Sequence, residues 1–144
     1  MEDKPQTYAN HKRVNPLFHL FVSPILIANV AIQLVAAFEE PSFDSIWATV
    51  VAIALYGLAF SARHMALILQ NRLISHEEKL RLARVLPEDL RARIPDLRLG
   101  QLIALRFASD AEIPALVQET LAKQLSTKDI KKLIKNWKAD EYRV

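Results

Sequence analysis

The chain has 144 residues, 51% of them hydrophobic and 24% charged, with a net charge of +3, totals that by themselves fit a soluble domain as well as a membrane protein. It contains no cysteine, which excludes a disulfide framework, a thiolate nucleophile and Cys-based zinc or iron–sulfur sites. Its only glycines are Gly57 and Gly100. That excludes the glycine-rich loops through which P-loop and dinucleotide-binding backbones approach phosphate.

Residues Met1 to Pro16 form a polar lead with a proline near each end, read as extended or irregular. Tyr8, Asn10 and His11 stand out in it, and an interfacial tail with an aromatic anchor accounts for them. The charge pattern then changes abruptly. Leu17 to Phe38 and Ile46 to Ala62 contain no Asp, Glu, Lys or Arg. As helices rising about 1.5 Å per residue they cover roughly 33 and 26 Å, against a hydrocarbon core of about 30 Å. Both predict membrane spans, at about 17–38 and 46–64. A cleaved signal peptide fits the first less well, because the apolar run is long, contains Pro24 and follows Glu2 and Asp3.

Within the first span His19, Ser23, Asn29 and Gln33 fall on one arc of roughly 120° at 100° per residue. Unpaired polar groups are costly in lipid, so this arc is expected to face the second span or a partner protein, with ligand or ion handling as the other use. Pro24 removes a backbone hydrogen bond and is expected to bend the helix. The loop Glu39 to Ser45 is acidic, whereas residues 63–144 hold sixteen Lys and Arg against eleven Asp and Glu. The positive-inside rule then places both termini in the cytoplasm and the loop outside.

From Ile46 to Leu86 nothing breaks a helix except Gly57, so one long helix is expected to leave the membrane at Arg63 and His64 and continue to Pro87. Trp47 anchors its outer end, and Thr49, Ala52, Tyr56, Ala59 and Arg63 form a small and polar face suited to the first span. Beyond the membrane Leu69, Leu73, His76, Leu80 and Ala83 follow a 4, 3, 4, 3 spacing. This heptad-like seam either packs on the chain's own C-terminal helices or pairs with a second copy. Glu77 and Arg81 have the i, i+4 spacing of an ion pair, and Glu77 and Glu78 read as solvated helix surface.

Pro87 and Pro95 bound a short helix. Leu97 to Ala108 reads as a buried helix, Ser109 with Glu112 as a capping box, and Ile113, Leu116, Val117, Leu121 and Leu125 as the apolar face of the next helix. Ser126 with Asp129 starts a last one. There Ile130, Leu133, Ile134 and Trp137 line one face, and Lys128, Lys131, Lys132, Lys135 and Lys138 cover the rest. The stripe suits packing into a small bundle, while the lysines and Trp137 also suit anionic lipid or, less well, nucleic acid.

Four stretches carry a family resemblance: YANH at 8–11, EEKLRLARVLP at 77–87, GQLIALRFASDAEIPALV at 100–117 and IKKLIKNWKADEYRV at 130–144. They resemble an uncharacterised bacterial family of short two-span proteins known only as a domain of unknown function. The resemblance implies a bacterial inner-membrane protein and supplies no activity, cofactor or catalytic residue.

Taken together, the expected fold is all-α: a polar lead (1–16), a transmembrane hairpin (17–69) whose second helix extends into the cytoplasm, and a cytoplasmic helical bundle (70–144). The expected role is a non-catalytic accessory or scaffold subunit whose partners are membrane lipids and a membrane protein or a second copy. Partner or lipid contact is assigned to His19, Ser23, Asn29, Gln33, Tyr56, Arg63, Lys128, Lys131, Lys132, Lys135 and Trp137. The alternative is haem, pigment or metal binding through His19 and His64 at the inner interface, near His11. No GxSxG, no HExxH and no paired carboxylates in an apolar pocket point to an enzyme.

Overall fold

The structure, a computed structural model, describes Tyr8 and residues 14–138. Asn10 and His11, and the residues after Lys138, lie outside the described residues. The described chain is all-α, with two compact units, residues 14–68 and residues 69–138.

The first unit is two helices and a tight turn. Helix α1 covers Leu17–Glu39, and α2 begins at Phe43. The first six residues of α1, Leu17–Val22, are π-wound, with the Ser23 N–H bonded back to the Phe18 carbonyl. Pro24, which has no N–H to give, lies just beyond; a π turn beside a proline is a standard way of absorbing the missing bond. The disturbance expected of Pro24 is therefore a change of winding, and it shifts the register of His19 against the residues that follow. Asn15 closes the helix start by accepting from the Phe18 N–H at 3.1 Å.

The turn between the helices is shorter than the acidic run 39–45, because Ser42 caps α2. The Ser45 N–H donates to the Ser42 hydroxyl at 3.1 Å, and the Ser42 N–H to the Ser45 hydroxyl at 3.0 Å. This reciprocal arrangement satisfies orphan donors at the helix start.

Helix α2 spans Phe43–Val85 as a single 43-residue helix, unbroken at Arg63 and His64. It stops where Pro87 forces extended backbone. In the first unit Thr49 and Ala52 are its buried residues. The Thr49 hydroxyl lies 3.0 Å from the Gln33 carbonyl and 2.9 Å from that of Ser45, so its one proton is shared between the neighbouring helix and its own. Small residues allow this approach of backbones.

The second unit closes around the end of α2. Helices α3 (Glu88–Arg91), α4 (Leu99–Leu105), α5 (Ile113–Lys123) and α6 (Thr127–Leu133) follow, with a 3₁₀ turn at Ile94–Asp96. Leu82 of α2 and Leu86 just past its end join Leu102, Leu105, Phe107, Ile113, Val117 and Ile130 in one core. Burial of each such side chain contributes about 1.5–3 kcal/mol.

Four expectations are corrected here. The seam does not pack on the C-terminal helices: Leu69, Leu73 and Leu80 are 60–64% exposed and His76 is exposed, with only Ala83 reaching the edge of the core. The face that does pack carries Glu78 and Leu82, on the opposite side of α2, and Leu86 follows them just past the helix end.

Second, the buried helix predicted over 97–108 is only Leu99–Leu105. Third, Ser109 and Glu112 form no capping box, since Ser109 Oγ is buried without a partner and α5 has no side-chain cap.

Fourth, α6 ends at Leu133, so Trp137 is not on a helix. The Glu112 carboxylate accepts from the Lys135 N–H (3.3 Å) and the Asn136 N–H (2.9 Å), and Ala108 and Trp137 pair as an isolated antiparallel bridge. These bonds take backbone donors that a longer helix would have used internally.

By contrast the Ser126 cap forms as its spacing predicts, its hydroxyl accepting from the Asp129 N–H at 3.2 Å.

Candidate functional site

The most elaborate polar arrangement is centred on Arg81. Its guanidinium donates to Asp110 (Nε, 2.7 Å), the Ala108 carbonyl (Nη2, 2.7 Å), the Arg106 carbonyl (Nη1, 3.3 Å) and Glu78 (Nη1, 3.3 Å). A planar fork with five donors suits this task, because carbonyls freed at the end of a helix are fixed acceptors in a plane. Arg81 thus fastens α2 to the segment after α4.

Glu78, 4% exposed, is the buried anion of this group. Burial raises its carboxyl above the ordinary glutamate range, with the Arg81 and Lys138 charges acting in the opposite direction and Asp110 adding a small upward push. The expected Glu77–Arg81 pair is absent, since Arg81 is committed to Glu78 and Asp110. Glu78 is buried, not solvated as expected; the legible signal was its place on the same helix face as Leu82 and Leu86.

Two further residues that the sequence did not single out act as structural hubs. Gln101, 3% exposed, accepts from the Arg98 N–H at 2.8 Å and donates to the Leu125 carbonyl at 3.0 Å, joining the start of α4 to the end of α5. Gly100 lies where a Cβ would come within 2.6 Å of Thr127 Oγ1, a close approach of α4 and α6 that favours glycine.

The residues assigned to partner or lipid contact are distributed as follows. Ser23, Asn29 and Gln33 are half-buried in the first unit, as are Tyr56 and Arg63, whereas His19 and His64 are exposed. His19 Nδ1 lies 2.9 Å from the Asn15 carbonyl, which can only accept, so Nδ1 is the donor of this contact. His64 stacks on Phe60, ring centroids 6.2 Å apart. No group of three His, Asp or Glu side chains converges in a metal-holding arrangement among the described residues.

On and after α6, Lys128, Lys132 and Lys135 are exposed. Lys131 and Trp137 are half-buried, the lysine 5.2 Å from the Phe107 ring centre and the indole 5.1 Å from it. A shallow cleft of about 420 Å³ beside α5 is lined by Glu112, Ala115, Glu119, Leu133 and Lys135. Its carboxylates are already engaged, Glu112 as above and Glu119 with Lys123 at 2.8 Å. It presents no unclaimed polar cluster for chemistry.

The open surface of α1 is largely apolar. Along α1 no residue is buried, and Leu20 and Phe38 are 73% and 83% exposed. Two helices, Leu17–Glu39 and Phe43–Val85, are long and apolar enough to cross a membrane. The chain belongs to a family of unknown function (DUF6526), which matches it over residues 1–144. No curated protein and no solved structure matches it.

Proposed function

We propose that this protein is a non-catalytic integral membrane protein. Two spans anchor a small basic helical domain at the inner membrane face, where it serves as an accessory or scaffold subunit. The observation that carries this reading is the outward apolar surface of α1: none of its residues is buried, although they include Leu20, Phe21, Ile25, Ile27, Ile32 and Phe38. Water does not tolerate an apolar surface of that extent, whereas lipid requires it. The second unit, by contrast, gathers Leu82, Leu86, Leu102, Leu105, Ile113 and Ile130 into a core of its own. Charge supports the orientation, with an acidic turn at Glu39, Glu40 and Asp44 and a basic excess after Arg63.

The absence of native cysteine makes the test direct. Single cysteines at Ser42 and Ser126, probed with a membrane-impermeant maleimide on intact cells, are expected to react at Ser42→Cys only. Alkaline carbonate is expected to leave the chain in the membrane fraction. Release by carbonate, or labelling of Ser126→Cys from outside, overturns the reading. Crosslinking and mass spectrometry in native membranes then identify the partner.

A second reading is favoured by one contact. His19 gives its Nδ1 proton to a backbone carbonyl, as metal-ligating histidines commonly do, leaving Nε2 available to haem, pigment or metal. Visible absorption and metal content of the purified protein, lost on His19→Ala, would support it; a colourless, metal-free protein rules it out.

A further inference from the structure

We infer that the outward face of α2 between Leu69 and Leu80 is the seat of a parallel dimer, its partner being a second copy of this chain. The inference rests on the membrane reading above, because copies inserted with the same orientation carry α2 in the same direction.

Leu69, Leu73 and Leu80 are 64%, 60% and 62% exposed, and His76 between them is exposed as well. Their 4, 3, 4 spacing is that of alternating d and a positions in a two-stranded coil. The opposite side of the helix carries Glu78 and Leu82, which are buried in the chain's own fold, as is Leu86 just past the helix end. That core leaves the seam free, and Arg72, Glu77 and Lys79 flank it, so the segment is too charged to be immersed in lipid.

Charge distinguishes the occupant. With Leu73 and Leu80 at a, residues Arg72 and Lys79 fall at g and Glu77 and Arg84 at e. In a parallel pair each g residue meets the e residue five positions on in the other helix, so Arg72 meets Glu77 of the second copy, twice by symmetry. Neither residue makes an ion pair within the chain among the described residues. In the next heptad Lys79 meets Arg84 and repels it. The pairing is therefore modest in strength and improvable by a single change.

The test uses the full chain in native membranes. Cysteine placed singly at Leu69, Leu73, His76 or Leu80 is expected to give a disulfide-linked dimer on mild oxidation, and cysteine at Asp89, exposed on α3, is not. Same-site crosslinks at both Leu69 and Leu80 require a parallel pair; an antiparallel one would crosslink at a single central position. In the Leu73→Cys background Arg72→Glu or Glu77→Arg is expected to lower the crosslinked fraction about tenfold. Co-expression of these two variants is expected to restore it, and Arg84→Glu to raise it. Crosslinking no stronger than at Asp89, a crosslink to a different protein, or failure of the mixed pair to recover overturns the proposal. Carbonate extraction of the same samples reports separately on membrane insertion, so loss of the dimer and loss of the membrane reading are distinguishable.

Discussion

The Arg81 guanidinium donates to the carbonyl of Ala108 at 2.7 Å, across 27 residues of sequence. One side chain of α2 thereby occupies an acceptor in the segment after α4, and two carboxylates, Glu78 and Asp110, pair with it as well. Arg81→Ala strands the buried Glu78 anion and is expected to cost about 3–5 kcal/mol of stability. Arg81→Lys is expected to recover less than half of that, because one ammonium cannot reach both carbonyls and both acids. Denaturant titration of the solubilised chain measures both; a lysine variant as stable as wild type would refute the role of the planar fork.

Glu78 supplies a pH dependence. Its folded carboxyl is raised above the ordinary value, chiefly by burial, so its contribution to stability is fully present below the unfolded value and is lost as pH rises through the folded one. Glu78→Gln removes the charge and keeps the shape. It is expected to melt higher than wild type at pH 7, with the gap closing toward pH 4. A variant that melts lower at pH 7 would mean that the attraction of Arg81 outweighs burial.

Gly100 and Thr127 are expected to be coupled. Alanine is favoured over glycine within a helix by about 1 kcal/mol. At Gly100 its Cβ meets Thr127 Oγ1 at 2.6 Å. Gly100→Ala should therefore stabilise the Thr127→Ala background and fail to stabilise wild type, a coupling of about 1 kcal/mol. Additive melting temperatures in the four-variant cycle would sink this account.

In the hairpin, Ala52 is 1% exposed and Ala54 is exposed. Ala52→Leu is expected to push α1 and α2 apart at a cost of about 1–3 kcal/mol, while Ala54→Leu is expected to be neutral. Loss of helical signal during titration with a denaturing detergent separates the two.

Much of this was legible in residue order, and the misses have physical causes. The long α2 followed from the absence of breakers between Gly57 and Pro87, and the Ser126 cap from its spacing to Asp129. The seam at Leu69, Leu73 and Leu80 was recognised as apolar, but periodicity cannot say which of two faces a core will choose. Leu82, Leu86 and the acid between the charged neighbours Glu77 and Lys79 won because Arg81 supplies Glu78 with a partner. Trp137 followed the helical period and still left the helix, since a distant carboxylate, Glu112, took the backbone donors of Lys135 and Asn136. His19 departed from the wheel because the wheel assumes α winding, and Leu17–Val22 is π-wound. The placement of Trp137 depends on long-range hydrogen bonds that no local pattern encodes.

The Ser42–Ser45 turn bears on the order in which the molecule is made. Each serine satisfies the other's backbone donor, so the turn asks nothing of any residue beyond Ser45 to hold its shape. The Thr49–Gln33 contact adds only sixteen residues of separation. The second unit, whose core runs from Leu82 to Ile134 and whose bridge joins Ala108 to Trp137, waits for nearly the whole chain. Contacts between near neighbours form first and distant ones late. The hairpin is thus able to close during synthesis, and the helix it shares with the second unit is already anchored when that core begins to gather around Leu82 and Leu86.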